Sequence, residues 1–94
     1  MNILDKLPKE TGVYYIMGPK LVTKGFWIFS KTVVVEKPIL QIEVSRGRNF
    51  VFAKSADTRE YLGVITKDDV DKSSKAYRAI ENALFEMTKI KRLE

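Results

Sequence analysis

Cations and aromatics are the residues whose spacing is most suggestive in this chain, whose 94 residues include no histidine and no cysteine. Their absence removes thiol nucleophiles, structural zinc and the side chain most used for acid–base work near neutral pH. The most suggestive spacing is Arg46-Gly47-Arg48-Asn49, which sets two guanidinium groups at a turn between the apolar runs Ile39–Ser45 and Asn49–Lys54. Arginine pairs there suit bidentate contacts to phosphate. Lys24, Lys31 and Lys54, carried by neighbouring strand segments, extend the nucleic-acid surface this turn predicts. A second group lies near the C-terminus: at 100° per residue, Arg78, Asn82, Phe85, Lys89 and Arg92 fall opposite the apolar side of a helix. A phenylalanine among cations reads as a base-stacking contact, as the centre of a protein interface, or as one tolerated aromatic on a solvated face.

Other chemistries find no foothold. Asp68, Asp69 and Asp71 lack the glycine and closing glutamate of an EF-hand loop and read as helix-capping residues. No Gly-x-Gly-x-x-Gly or Gly-Lys-Ser/Thr sequence occurs, and no two acids have the spacing of an acid–base pair. The expectation is a non-enzymatic protein with no catalytic residue, metal, cofactor or small-molecule substrate.

The elements that must hold these residues follow from the hydrophobic pattern. A chain that is 45% hydrophobic and 31% charged is long enough for one core, and it contains no apolar run of membrane-spanning length. From Gly12 to Ile65, β-branched and aromatic runs are punctuated by Gly18-Pro19, Ser30-Lys31, Lys37-Pro38, Arg46–Arg48 and Ser55–Arg59. This predicts an antiparallel meander of five to six strands across about 12–65. Leu40, Ile42 and Val44 alternate with Gln41, Glu43 and Ser45, so that strand has one wet face. Phe26-Trp27-Ile28-Phe29 is apolar on both sides and is expected in the middle of the sheet, where two-sided burial calls for a curled sheet, a homodimer, or both. After the capping residues Asp68–Ser74, the stripe Ala76, Tyr77, Ile80, Ala83, Leu84 and Met87 predicts a C-terminal helix over about 74–92. The fold class is therefore α+β, a curled antiparallel meander packed on one C-terminal helix in a single domain, 1–94.

The net charge of +5 lies in the strands: residues 1–54 hold nine Lys/Arg against four Asp/Glu, and 55–94 hold eight against eight. A pI near 9.5 favours polyanionic partners, although solubility alone accounts for a charge of this size. The opening Met1–Glu10 has neither a signal-peptide core nor an Arg-rich transit pattern, which predicts a cytoplasmic protein.

Two resemblances add to this. Leu7-Pro8-Lys9-Glu10-Thr11-Gly12-Val13-Tyr14-Tyr15-Ile16 resembles the opening strand of GIY-YIG nucleases over about a tenth of the chain. That family's second strand and catalytic helix have no counterpart here, since Trp27-Ile28-Phe29 is followed by more strand sequence, and no catalytic residue is carried over. The order of several strands closed by the helix containing Ala76–Leu84 is similar to pleckstrin-homology-like barrels and to the strand–helix units of single-strand-binding folds, which implies a binding module. The leading expectation is a small nucleic-acid-binding homodimer with weak sequence preference. A protein-interaction module acting through the helix face or a sheet edge is the alternative.

Overall fold

Both Gly12–Lys24 and Lys31–Ser45 are rich in β-branched residues, and in the computed structural model, which describes residues 3–25, 28, 30–68 and 71–93, they form one long antiparallel hairpin, β1 and β2. The turn signals Gly18-Pro19 and Lys37-Pro38 were expected to end strands; they face each other across the hairpin instead. Both prolines lie where a missing N–H does little harm. Pairing of β1 with its other neighbour stops at Met17, pairing of β2 with its other neighbour stops at Leu40, and Ile39 bulges out of β2 between them.

Three shorter strands complete the sheet: β3 (Phe50–Ser55), β4 (Tyr61–Thr66) and β5 (Lys89–Leu93). The five antiparallel strands form one open sheet in the order β4-β3-β2-β1-β5. Its single α-helix, α1 (Lys75–Glu86), packs on one face, so the α+β meander-and-helix architecture holds. The helix starts at Ser74, whose hydroxyl accepts the Tyr77 N–H at 3.1 Å. Just upstream, the Asp71 carboxylate accepts the Ser73 N–H at 2.9 Å and hydroxyl at 2.6 Å. Asp69 and Val70 lie outside the described residues.

Tyr14, Ile16, Leu40, Ile42, Val44, Val51, Ala53 and Ile65 supply the sheet's side of the core, and Ala76, Tyr77, Ile80 and Ala83 supply the helix's side. The expected alternation in β2 is the observed one. Helix and sheet approach closely at Gly63, where a Cβ would lie 3.2 Å from that of Ala76; its φ of +134° is a second reason for glycine. A 3₁₀ turn, Ile3–Lys6, closes one end of the core with Ile3 and Leu4, followed by Leu7.

Two expectations need correction. The helix stops at Glu86 and not near residue 92: Met87 is extended, the Thr88 N–H donates to the Met17 carbonyl at 2.8 Å, and Lys89–Leu93 become an edge strand along Val13–Met17. Free backbone groups on the edge of β1 outweigh continued helix. The run 26–29 was expected in the middle of the sheet, and Ile28, its one described residue, is not on a strand. Ile28 lies between β1 and β2 and is 85% exposed; Phe26, Trp27 and Phe29 lie outside the described residues.

Candidate nucleic-acid interface

Because side chains alternate along a strand, burying one face of this sheet under α1 fixes what the other face presents. Register pairs define its rows. One row runs across all five strands as Lys91, Tyr15, Gln41, Lys54 and Tyr61. The next reads Leu93, Val13, Glu43, Phe52 and Val64, and a third, across β2 to β4, reads Ser45, Phe50 and Thr66. None of these side chains is buried, and among the described residues no helix covers the face. Four aromatics therefore share an uncovered surface about 20 Å wide, from five strands spaced roughly 4.8 Å apart.

The aromatics on β3 and β4 touch: the Phe52 and Tyr61 rings are tilted at 41° with centroids 6.4 Å apart. At the end of β2, the Arg46 guanidinium lies over the Phe50 ring, 5.6 Å from its centroid. Lys54 and Lys91 form no ion pair among the described residues, whereas Glu43 is the single acid in the three rows. The face thus sets flat rings, of the kind on which bases can stack, beside cations that could meet phosphates.

The residues expected to bind nucleic acid do not all meet here. Arg46 and Lys54 belong to this surface. Arg48 faces the chain's own N-terminal turn, donating to the Leu4 carbonyl at 3.2 Å beside Asp5 at 4.0 Å. This contact accompanies a left-handed turn in which Arg46, Gly47 and Arg48 have φ of 52°, 64° and 79°. Lys24 and Lys31 pair with each other at the far end of the hairpin, about 45 Å from Arg46 along the fourteen steps of β2 at roughly 3.3 Å each.

The proposed helix stripe is divided. Arg78, Asn82 and Phe85 are exposed on α1, with Phe85 at 92%. Lys89 and Arg92 stand on β5: Lys89 pairs with Glu36 at 3.1 Å, while Arg92 bonds Glu10 and the Thr11 carbonyl and lies 5.9 Å over Tyr14. Among the described residues, no three His, Cys, Asp or Glu side chains are placed to hold a metal. No described helix is long and apolar enough to cross a membrane.

Tyr15, Phe50, Phe52, Tyr61 and Lys91 were not singled out from the sequence as site residues. A signal existed in Phe50-Val51-Phe52-Ala53-Lys54, where rings and a cation alternate with small aliphatics. No protein-family model, curated protein or solved structure matches the chain.

Proposed function

We propose that this chain is a non-enzymatic cytoplasmic protein that binds single-stranded nucleic acid on the helix-free face of its sheet, with little sequence preference. The observation that carries the reading is the cross-strand row Lys91, Tyr15, Gln41, Lys54 and Tyr61, its last link made across a register shift between β3 and β4, flanked by Phe52 and Phe50. Bases stack on Tyr15, Phe52, Tyr61 and Phe50, and phosphates meet Lys91, Lys54 and Arg46 at the margins. Rings accept every base, which accounts for weak preference, and a flat face favours splayed single strands over duplex. Fluorescence anisotropy with labelled oligothymidine, oligouridine and a duplex at low salt tests this: single strands bind more tightly. Equal affinity for duplex, or no binding, defeats it.

A further inference from the structure

Beyond Met17 and Leu40 the β1–β2 hairpin leaves the sheet as a free arm. Seven register pairs, from Gly18 with Lys37 to Lys24 with Lys31, carry it about 23 Å at roughly 3.3 Å per residue, consistent with a molecule 55 Å long and 25–28 Å across. The arm is apolar on both sides. Leu21 and Val34, 71% and 66% exposed, project on one, and the partly exposed Val22, Val33 and Val35 on the other. A two-stranded hairpin is marginal in water by itself, and aliphatic side chains on both faces call for cover.

Its charge identifies the cover. From residue 18 to 37 the arm has four lysines, Lys20, Lys24, Lys31 and Lys37, and one acid, Glu36 at its base, which Lys89 engages at 3.1 Å. Lys24 and Lys31 stand directly opposite each other, an unfavourable placement unless an anion approaches. The complementary surface is on this same chain. The last turns of α1 read Glu81-Asn82-Ala83-Leu84-Phe85-Glu86, with two acids, no cation and the almost fully exposed Phe85, which borders a groove with Ile3, Tyr77, Glu81 and Leu84 whose one cation is Lys6 from the N-terminal turn. Phosphate would match the lysines but would leave the valines, Leu21 and Phe85 uncovered.

The arm departs beside that end of the helix: a Cβ at Gly18 would lie 3.5 Å from the Glu86 carbonyl oxygen. Arm and helix patch are thus neighbours that a rigid chain does not fold onto each other, and a two-fold axis between them gives each copy's arm the other's patch. We propose that the chain forms a reciprocal homodimer in which the arm of each copy lies on the Phe85 end of its partner's α1. Apolar residues of the arm cover Phe85 and Leu84, and its lysines meet Glu81 and Glu86. With the two-fold axis relating the copies, each arm meets the other's patch and the exchange closes after two copies. It uses none of the sheet-face residues, so the nucleic-acid reading and this one fail separately.

Sedimentation velocity at micromolar concentration should give a mass near twice the 10.8 kDa chain. Phe85→Asp, at a site too exposed to serve the monomer's core, should yield a monomer with an unchanged circular dichroism spectrum, and Leu21→Lys combined with Val34→Lys should do the same from the other side. Mixing these two monomers should restore a dimer, since one intact arm–patch contact remains. The absence of cysteine allows a second readout: Ile28→Cys and Phe85→Cys proteins, mixed and mildly oxidised, should cross-link to each other faster than either does to itself. A monomeric wild type overturns the proposal. So does a dimer indifferent to Phe85→Asp, or a monomer whose arm lysines capture duplex DNA or anionic vesicles instead.

Discussion

Two substitutions on the sheet face should fail in different ways, and the difference tests the platform more sharply than loss of binding. Single-strand binding weakens with salt by about 0.7 logarithmic units per neutralised phosphate, so three contacts from Arg46, Lys54 and Lys91 predict a slope of about −2. Raising salt from about 50 to 200 mM should then cost about 18-fold in affinity. Lys54→Gln removes one contact: the slope should fall to about −1.4 and the same salt step should cost about 7-fold. Tyr61→Ala removes a ring and no charge, so the slope should stay at about −2 while affinity falls about 5- to 160-fold at every salt concentration, the equivalent of roughly 1–3 kcal/mol for one stacked base.

Unfolding does not imitate that result. Tyr61 is 53% exposed and its described ring contact is the tilted pair with Phe52, worth about 0.5–1.5 kcal/mol. Against the roughly 5–15 kcal/mol that holds a domain together, the variant remains folded at 25 °C. Anisotropy titrations of a labelled oligothymidine at four salt concentrations give both quantities for each protein. If Tyr61→Ala binds like the wild type, or if Lys54→Gln shifts affinity without changing the slope, the sheet face is not where the strand lies.

Three further perturbations probe how the scaffold is held. Ser74→Ala removes the hydroxyl that caps α1 and should lower stability by about 1 kcal/mol, seen in thermal melts as a fall of about 4–8 °C. Gly63→Ala sets a Cβ 3.2 Å from Ala76 at a φ of +134°, and should cost about 1–3 kcal/mol in urea denaturation, whereas Ala at the open Gly47 meets no atom within 4 Å and carries only the strain of its φ. The Ser73 hydroxyl and N–H hold the Asp71 carboxyl below its ordinary 3.8, so these bonds contribute fully above that value and are lost as pH falls through the lowered pKa; an NMR titration should place the Asp71 midpoint below 3.8, and Ser73→Ala, which removes the hydroxyl and keeps the N–H, should bring it part of the way back.

Local pattern made the fold class legible because the alternation in Ile39–Ser45 and the helical stripe through Ala76, Ile80 and Ala83 each have a single solution that buries their apolar side. Strand boundaries were less legible. Gly18-Pro19 and Lys37-Pro38 are good turn sequences, and only their mutual placement at the margin of the sheet, beyond the reach of β3 and β5, lets a strand pass through both. The site was partly legible for a related reason. Arg46 and Lys54 stand out as cations, but Tyr15, Phe50, Phe52 and Tyr61 resemble core aromatics until register shows which face α1 covers. Conversely, Arg48 looked free at its turn and is engaged by Leu4 and Asp5, forty-four and forty-three residues away.

The exchange of helix for strand after Met87 has the largest functional consequence in the chain. Lys89-Ile90-Lys91-Arg92-Leu93 fits either period: as helix it would add two cations to the Phe85 side, and as strand it sends Lys91 to the sheet's open face and Arg92 to the Glu10–Tyr14 cluster. The decision rests on hydrogen bonding, since five residues of the edge of β1 would otherwise leave their outward backbone groups to solvent or to another chain. Charge is sorted as a result. The Phe85 end of α1 is left with Glu81, Glu86 and an exposed ring, the surface proposed to receive another copy's arm, while the face with Tyr15, Phe52 and Tyr61 gains the cation at the end of its cross-strand row. In a chain with a net charge of +5, the surface proposed for self-association is thereby kept apart from the one proposed for a polyanion, and the two proposed activities do not compete for the same residues.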